Sequence, residues 1–237
     1  MTFKPVSLPA LLKSRLNERR VVPFVGAGIS TAAGLPDWPG LLRALVTWAV
    51  HSGVPVPRAD LIEEAIQKNN FDRASHALSE ALGVRLPEAL RSILSPPGAL
   101  PTPVHRILAK VVWPVVITTN FDKLLPEAFE GRPALVWDEQ EAIGDALRTG
   151  TPHLMLAHGW IQNPGSTVLT PAEYRDSFRN PALQNYLRTI LSQYSLLFLG
   201  YSLGDWDLKF FLEELRFAFG PQRSRTSPCL PVIGSMN

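Results

Sequence analysis

Cysteine is nearly absent from this sequence: Cys229 is the single example in 237 residues. One thiol closes no intrachain disulfide and builds no cysteine-based zinc site, and a chain without disulfides suits a reducing cytoplasm. Charge of one sign is lacking too. The 23 Lys and Arg against 21 Asp and Glu leave a formal net charge of +2, which gives no ground for nucleic acid or an anionic membrane as the main ligand. No apolar run reaches the ~18 residues of a membrane span, and the opening Met1-Thr2-Phe3-Lys4-Pro5 lacks the apolar core of a secretory signal. Internal repeats and low-complexity segments are missing. His51, His76, His105 and His153 have no carboxylates at metal-ligand spacing, so no metal is expected. What remains is an ordinary globular composition, 46% hydrophobic and 19% charged. The length suits one large domain, or one domain with an insertion, and buries a full core without staples.

Along the chain, apolar residues at helix spacing (Leu8, Leu11, Leu12, Leu16) predict an amphipathic helix over 8–19. Val21-Val22-Pro23-Phe24-Val25 reads as a short buried parallel strand, with Pro23 an awkward residue for an interior position because it donates nothing to the ladder. Residues 40–110 read as mostly helical: Leu41, Leu42, Leu45 and Trp48 on one helix, then Ala59 to Lys68, Phe71 to Leu82 and Leu86 to Leu94. Pro96-Pro97-Gly98 breaks that pattern, and Thr102-Pro103-Val104-His105 opens a short helix with Pro at its first position. Further strands are predicted at 114–118, 153–157 and 195–199, with helices at 181–194 and 205–219 and a last strand at 228–233. The alternation of buried strands and helices predicts an α/β domain with a parallel sheet and a helical insertion at about 40–110.

In an open parallel sheet ligands bind outside the carboxyl ends of the strands. Four predicted strands end in small or polar residues: Gly26-Ala27-Gly28, Thr119-Asn120-Phe121-Asp122, His158-Gly159 and Gly200-Tyr201-Ser202. In a parallel sheet all four share one rim, and that convergence says more than any single motif. Taken alone, Gly26-Ala27-Gly28 lacks the third glycine of a dinucleotide fingerprint and reads equally as a tight strand-to-helix turn. Asp122 alone reads as a helix cap, and His158 alone as a turn histidine. The six tryptophans are scattered and read as core or lid residues. Arg15, Arg19 and Arg20 read as a solvated basic face, and 221–225 as a loop.

Taken in order, these segments resemble the sirtuin family, and more closely its prokaryotic sirtuin-like NADase branch. The resemblance is carried by Gly26-Ala27-Gly28-Ile29-Ser30, Gly34-Leu35-Pro36-Asp37-Trp38, Thr119-Asn120-Phe121-Asp122 and His158-Gly159, then by Leu169-Thr170-Pro171-Ala172-Glu173-Tyr174 and Gly200-Tyr201-Ser202-Leu203-Gly204-Asp205. It spans about residues 20–215. It implies a Rossmann-like parallel sheet with helices on both faces. The deacetylases of the family carry a four-cysteine zinc module that this chain lacks, having no cysteine before Cys229 and only a short segment between His158 and Leu169. The resemblance therefore implies NAD as substrate, cleaved with water as acceptor and without a metal, as in anti-phage and Argonaute-associated members.

By resemblance the catalytic pair is Asn120 and His158. His158 is the general base, and Asn120 holds a ribose hydroxyl or a water beside a centre that becomes oxocarbenium-like. The expected cofactor-binding set is Gly26, Ala27, Gly28, Ile29, Ser30, Asp37, Asp122, Gly200, Tyr201, Ser202 and Asp205. Within it the glycine turn holds the pyrophosphate through backbone N–H groups and the dipole of a following helix. Asp37 lines the nicotinamide end, Asp122 supports the Asn120 network, and Gly200 and Ser202 mark the adenine-ribose end. Asp205 bonds ribose hydroxyls or caps a helix. A cytoplasmic defence effector is implied. It would be held in check by assembly into a homo-oligomer or by a partner such as an Argonaute-like protein, a helicase or ATPase, or a phage-derived trigger. The chain reads as a catalytic domain of a longer protein or a short subunit of a larger assembly. Two other readings stand beside this one: a zinc-free deacylase or ADP-ribosyltransferase, marked by an acceptor groove beside His158, and an NAD- or ADP-ribose-binding regulatory module without turnover.

Overall fold

Among the described residues, five short strands form one parallel sheet in the order β3-β4-β2-β1-β5. In this computed structural model residues 8–201, 212 and 213 are described. The strands are β1 (Val21–Val25), β2 (Val115–Thr118), β3 (Ala134–Val136), β4 (His153–Leu156) and β5 (Ser195–Leu199). The helices are α1 (Ala10–Asn17), α2 (Trp38–His51), α3 (Ala59–Gln67), α4 (Phe71–Leu82), α5 (Leu86–Leu94), α6 (Pro103–Lys110), α7 (Leu124–Ala128), α8 (Gln140–Thr149), α9 (Pro171–Arg179) and α10 (Pro181–Gln193). The expected helix at 205–219 and strand at 228–233 lie outside the described residues, 212 and 213 apart.

Side chains alternate across the sheet with period two, and both faces are covered. Val22, Phe24, Val115, Ile117, Met155, Leu196 and Phe198 point to one face and pack against Ile143 of α8, Phe178 of α9 and Leu183, Tyr186, Leu187 and Ile190 of α10. Val21, Val25, Val116 and Leu154 point to the other, against Leu12 of α1, Leu108 of α6 and Leu125 of α7. This is the Rossmann-like α/β arrangement, with helices on both faces. Between β1 and β2 the chain makes α2 to α6, of which α2 to α5 share a separate apolar cluster around Leu42, Leu45, Ile66, Leu78 and Leu90. Phe121, Ile161 and Leu169, from the loops after β2 and β4, join that cluster, so the helical layer is seated on the same rim that carries the motifs. Among the described residues no helix is long and apolar enough to cross a membrane.

Three expectations change. The first helix is shorter than 8–19 and buries only Leu12; Leu8 and Leu11 are 37% and 50% exposed, so its apolar face is not wholly turned inward. Pro23 sits comfortably between two strands. Gly26 N–H donates to Leu199 C=O, so alternate residues Gly26, Phe24 and Val22 bond toward β5, while Val25 C=O accepts from Thr119 on the β2 side. The missing N–H of Pro23 therefore faces β2, where pairing begins only at Phe24. Third, the glycine turn feeds two short 3-10 turns, Ala27–Ile29 and Thr31–Ala33, and not an α-helix. No α-helix dipole stands directly behind Gly26-Ala27-Gly28.

Candidate active site at the carboxyl rim of the sheet

Strand pairing brings the segments that carry the two central residues to the same rim of the sheet. β2 and β4 are neighbours with Thr118 opposite Leu156, and the ladder continues as Ala157 N–H donates to Thr118 C=O at 2.9 Å. Asn120 and His158 each stand two residues beyond that pair, on strands spaced about 4.8 Å apart. Both are buried, at 6% and 1% exposed. Burying polar side chains at strand ends costs stability unless they are bonded, and each has a partner.

Asn120 belongs to a three-residue chain. Its backbone N–H donates to Thr118 Oγ1 at 3.0 Å, and its side-chain Nδ2 donates to Ser30 Oγ at 3.1 Å. Ser30 Oγ donates in turn to Asp122 Oδ2 at 2.8 Å. Asp122 Oδ1 accepts from Leu124 N–H at 2.8 Å, which caps the first turn of α7. Ser30 and Asp122 are as buried as Asn120. Burial pushes the Asp122 carboxyl above the usual aspartate range, opposed by the Leu124 N–H, the Ser30 hydroxyl and the Asn120 amide, which favour its charged form. Asn120 Oδ1 is buried and has no hydrogen-bond partner among the described residues.

His158 is held from the other side. Its Nδ1 lies 3.1 Å from Tyr174 Oη, and the two rings meet edge-on with centroids 4.3 Å apart. Tyr174 is set by the first turn of α9, where Thr170 and Glu173 form a capping box: Glu173 Oε2 accepts Leu169 N–H at 2.8 Å and Thr170 N–H at 2.7 Å. His158 C=O accepts Val168 N–H at 2.9 Å, closing the loop between β4 and α9 onto the rim.

The glycine turn is explained by its own packing. A Cβ at Gly26 would lie 2.6 to 2.8 Å from the Tyr201 ring, and one at Gly28 2.7 Å from Gly200 C=O. Gly26 N–H is committed to Leu199 and Gly28 N–H to Gly200; Ile29 and Ser30 N–H bond back to Gly26 and Ala27. Of the backbone donors expected to cradle a pyrophosphate, only Ala27 N–H has no partner among the described residues. Tyr201 is buried, its Oη 2.6 Å from Thr119 Oγ1, so it braces the turn. Asp37 is exposed and caps α2 through Gly40 N–H at 2.8 Å.

The structure thus joins Ser30, Asn120 and Asp122 directly, joins Gly26, Gly28 and Ile29 to Gly200 and Tyr201, and places His158 at the end of the strand next to the one that leads to Asn120. Asp37 bonds to none of them. Ser202 and Asp205 lie outside the described residues. Thr118, Thr119 and Tyr174 carried no assigned role in the sequence. The Thr170-x-x-Glu173 spacing was the available signal for Tyr174, since it marks the helix start that aims this ring. Among the described residues no group of three or more His, Cys, Asp and Glu is placed to hold a metal ion.

Residues 114–231 match the family described as the SIR2-like domain. The chain is 30% identical over 235 residues to the NAD(+) hydrolase ThsA of Cytobacillus dafuensis, covering 96% of this chain and 44% of that protein. It is 27% identical over 219 residues to the NAD(+) hydrolase ThsA of Acinetobacter baumannii, covering 91% and 43%. It is 25% identical over 219 residues to the Defense-associated sirtuin 2 of Bacillus subtilis, covering 83% and 19%. The chain therefore spans less than half the length of these curated relatives.

Proposed function

Because this chain belongs to the SIR2-like family, we propose that it hydrolyses NAD at the bond between nicotinamide and ribose, releasing nicotinamide and ADP-ribose. The observation that carries the reading is that Asn120 and His158 are both buried just past the ends of neighbouring parallel strands, each anchored by a hydrogen-bonded partner. Cleaving this bond leaves positive charge on the anomeric carbon and its ring oxygen. Asn120 then bonds a ribose hydroxyl or the attacking water. His158 takes the proton as water adds. For Nε2 to accept that proton, the imidazole N–H sits on Nδ1 and donates to Tyr174 Oη. Ala27 N–H is the donor left at the glycine turn for the pyrophosphate. Similarity to proteins named NAD(+) hydrolase supports the substrate, and similarity to a defence-associated sirtuin supports a role in defence by NAD depletion. Restraint by a homo-oligomer or a partner protein, and a cytoplasmic location, belong to the same proposal.

The test is nicotinamide release by the purified protein, with and without a candidate trigger. His158→Ala is expected to lower the rate by ~10²–10⁴-fold with the fold kept. Asn120→Ala is expected to lose turnover while still binding NAD in a titration. Near-normal turnover by folded His158→Ala removes His158 from the mechanism, and NAD that stays intact under every condition removes the hydrolase.

A further inference from the structure

The chain Asp122–Ser30–Asn120 has a direction as well as a geometry. Ser30 carries one hydroxyl proton, and the bond to Asp122 Oδ2 at 2.8 Å uses it, because a carboxylate only accepts. The second contact of Ser30 Oγ, 3.1 Å from the Asn120 side chain, is then one in which Ser30 accepts and Asn120 donates. The amide of Asn120 is oriented by this: Nδ2 points into the network and Oδ1 is left as the outward acceptor. Oδ1 is the atom of the chain that has no partner among the described residues, although it is buried.

We propose that Ser30 and Asp122 are positioning residues that fix the hydrogen-bond polarity of Asn120, so that the site presents a carbonyl oxygen to an O–H donor of the substrate, a ribose hydroxyl or the attacking water. This rests on the NAD-cleavage reading above and assigns Ser30 and Asp122 to the support of Asn120. The polarity matters for the chemistry. As the bond to nicotinamide breaks, positive charge grows on the anomeric carbon. The negative end of a fixed amide dipole nearby lowers the energy of that state, and the positive end raises it.

Asp122→Asn tests the idea with almost no change of shape. The new amide keeps its oxygen for Leu124 N–H and turns its NH2 to Ser30. Ser30 then donates to Asn120, whose amide turns over and presents NH2 outward. Both hydrogen bonds of the Ser30 hydroxyl survive with their direction reversed, and the bond from Leu124 N–H is unchanged. Melting temperature is expected to hold or rise, since a buried charge is removed. The kcat is expected to fall about 100-fold with little change in KM, on the scale of losing one transition-state hydrogen bond. The swapped pair Asn120→Asp with Asp122→Asn restores an outward acceptor, because Asp at 120 accepts from Ser30 with one oxygen and offers the other. It is expected to recover at least about tenfold in kcat over Asp122→Asn alone, a rescue that a purely structural role does not produce.

A second readout needs no substrate. The side-chain Nδ2 protons of Asn120, observed by NMR, are expected to be protected from exchange in the unaltered protein and to lose that protection in Asp122→Asn. If the unaltered protein releases no nicotinamide, the hydrolase reading fails while this exchange measurement still reports the polarity. Unprotected Nδ2 protons in the unaltered protein overturn the proposal. So do a kcat in Asp122→Asn within about threefold of normal, and a folded swapped pair no faster than the single variant.

Discussion

Replacing Tyr174 by Phe removes one oxygen from beside His158 and keeps the ring. The edge-on packing, with centroids 4.3 Å apart, survives, so almost no apolar contact is lost. What goes is the contact between Oη and Nδ1 at 3.1 Å, between side chains only 2% and 1% exposed. A net hydrogen bond of this kind is worth about 0.5–1.5 kcal/mol, and for a domain of this size that lowers the melting temperature by about 1–6 °C. In the proposed mechanism the same oxygen accepts the Nδ1 N–H, which selects the imidazole tautomer that leaves Nε2 able to take a proton. Losing about 1–1.4 kcal/mol of that preference costs about five- to tenfold in kcat, with KM unchanged. Nicotinamide release under saturating NAD, beside a melting curve and the ¹⁵N shifts of the His158 ring, measures all three. A kcat within twofold of normal in a variant that melts several degrees lower would reduce Tyr174 to a packing residue and leave the tautomer of His158 set by something else.

Two further outcomes concern stability. His105 is fully buried, its Nδ1 accepting from Thr102 N–H at 3.3 Å, and burial pushes its imidazole down to about 4. The neutral form is the folded form, so its contribution is complete above the unfolded value of about 6.5 and is lost as pH falls through about 4. Stability in urea is expected to drop by on the order of 2–3 kcal/mol over that window, more shallowly in His105→Gln; parallel pH curves for the two proteins would refute the assignment. Gly200→Ala is expected to cost about 2–4 kcal/mol. Its φ is +73°, and a Cβ there would lie 2.7 Å from Ile29 N and 2.8 Å from Gly26 O, both backbone atoms. Gly144→Ala, inside α8 with nothing within 4 Å of the new Cβ, is expected to stabilise by about 0.5–1 kcal/mol. Equal melting temperatures for the two variants would undo this account of the rim.

The elements legible in the sequence are those with a strong local pattern. β1 and β5 are runs of five residues bounded by turn residues, and both lie at the expected positions. α4 and α5 likewise follow from their helical spacing and run over the expected residues. β3 is three residues long, too short to show any period, and α7 is a helix of only five residues; α8, with Ile143 and Ala146 buried at helical spacing, was legible but not among the expected elements. At the rim, the strand-end position of Asn120 and His158 was readable. The bond between Ser30 and Asp122 was not, since it spans 92 positions and exists only because β2 pairs with β1. The glycine turn carried two readings in the sequence, a phosphate cradle and a tight turn, and its local packing accounts for the glycines without deciding between them. Close backbone approach calls for glycine whether the neighbour is a pyrophosphate or, as here, the Tyr201 ring and the Gly200 carbonyl.

The strand order has a consequence for how the protein comes into being. β1 is made early, yet one of its two neighbours is β5, and Tyr201 reaches back 176 positions to Val25. Contacts so distant in the chain form slowly and late. A nascent chain still short of β5 has β1 open on one side, and the turn at Gly26 to Ser30 has no Gly200 to rest against. Assembly of the rim therefore waits on the ribosome: translation has to deliver the 195–201 segment before the turn beside Ser30 can take its final shape. A protein whose proposed chemistry consumes a central metabolite of its own cell is thereby made without a finished site until that segment has been delivered.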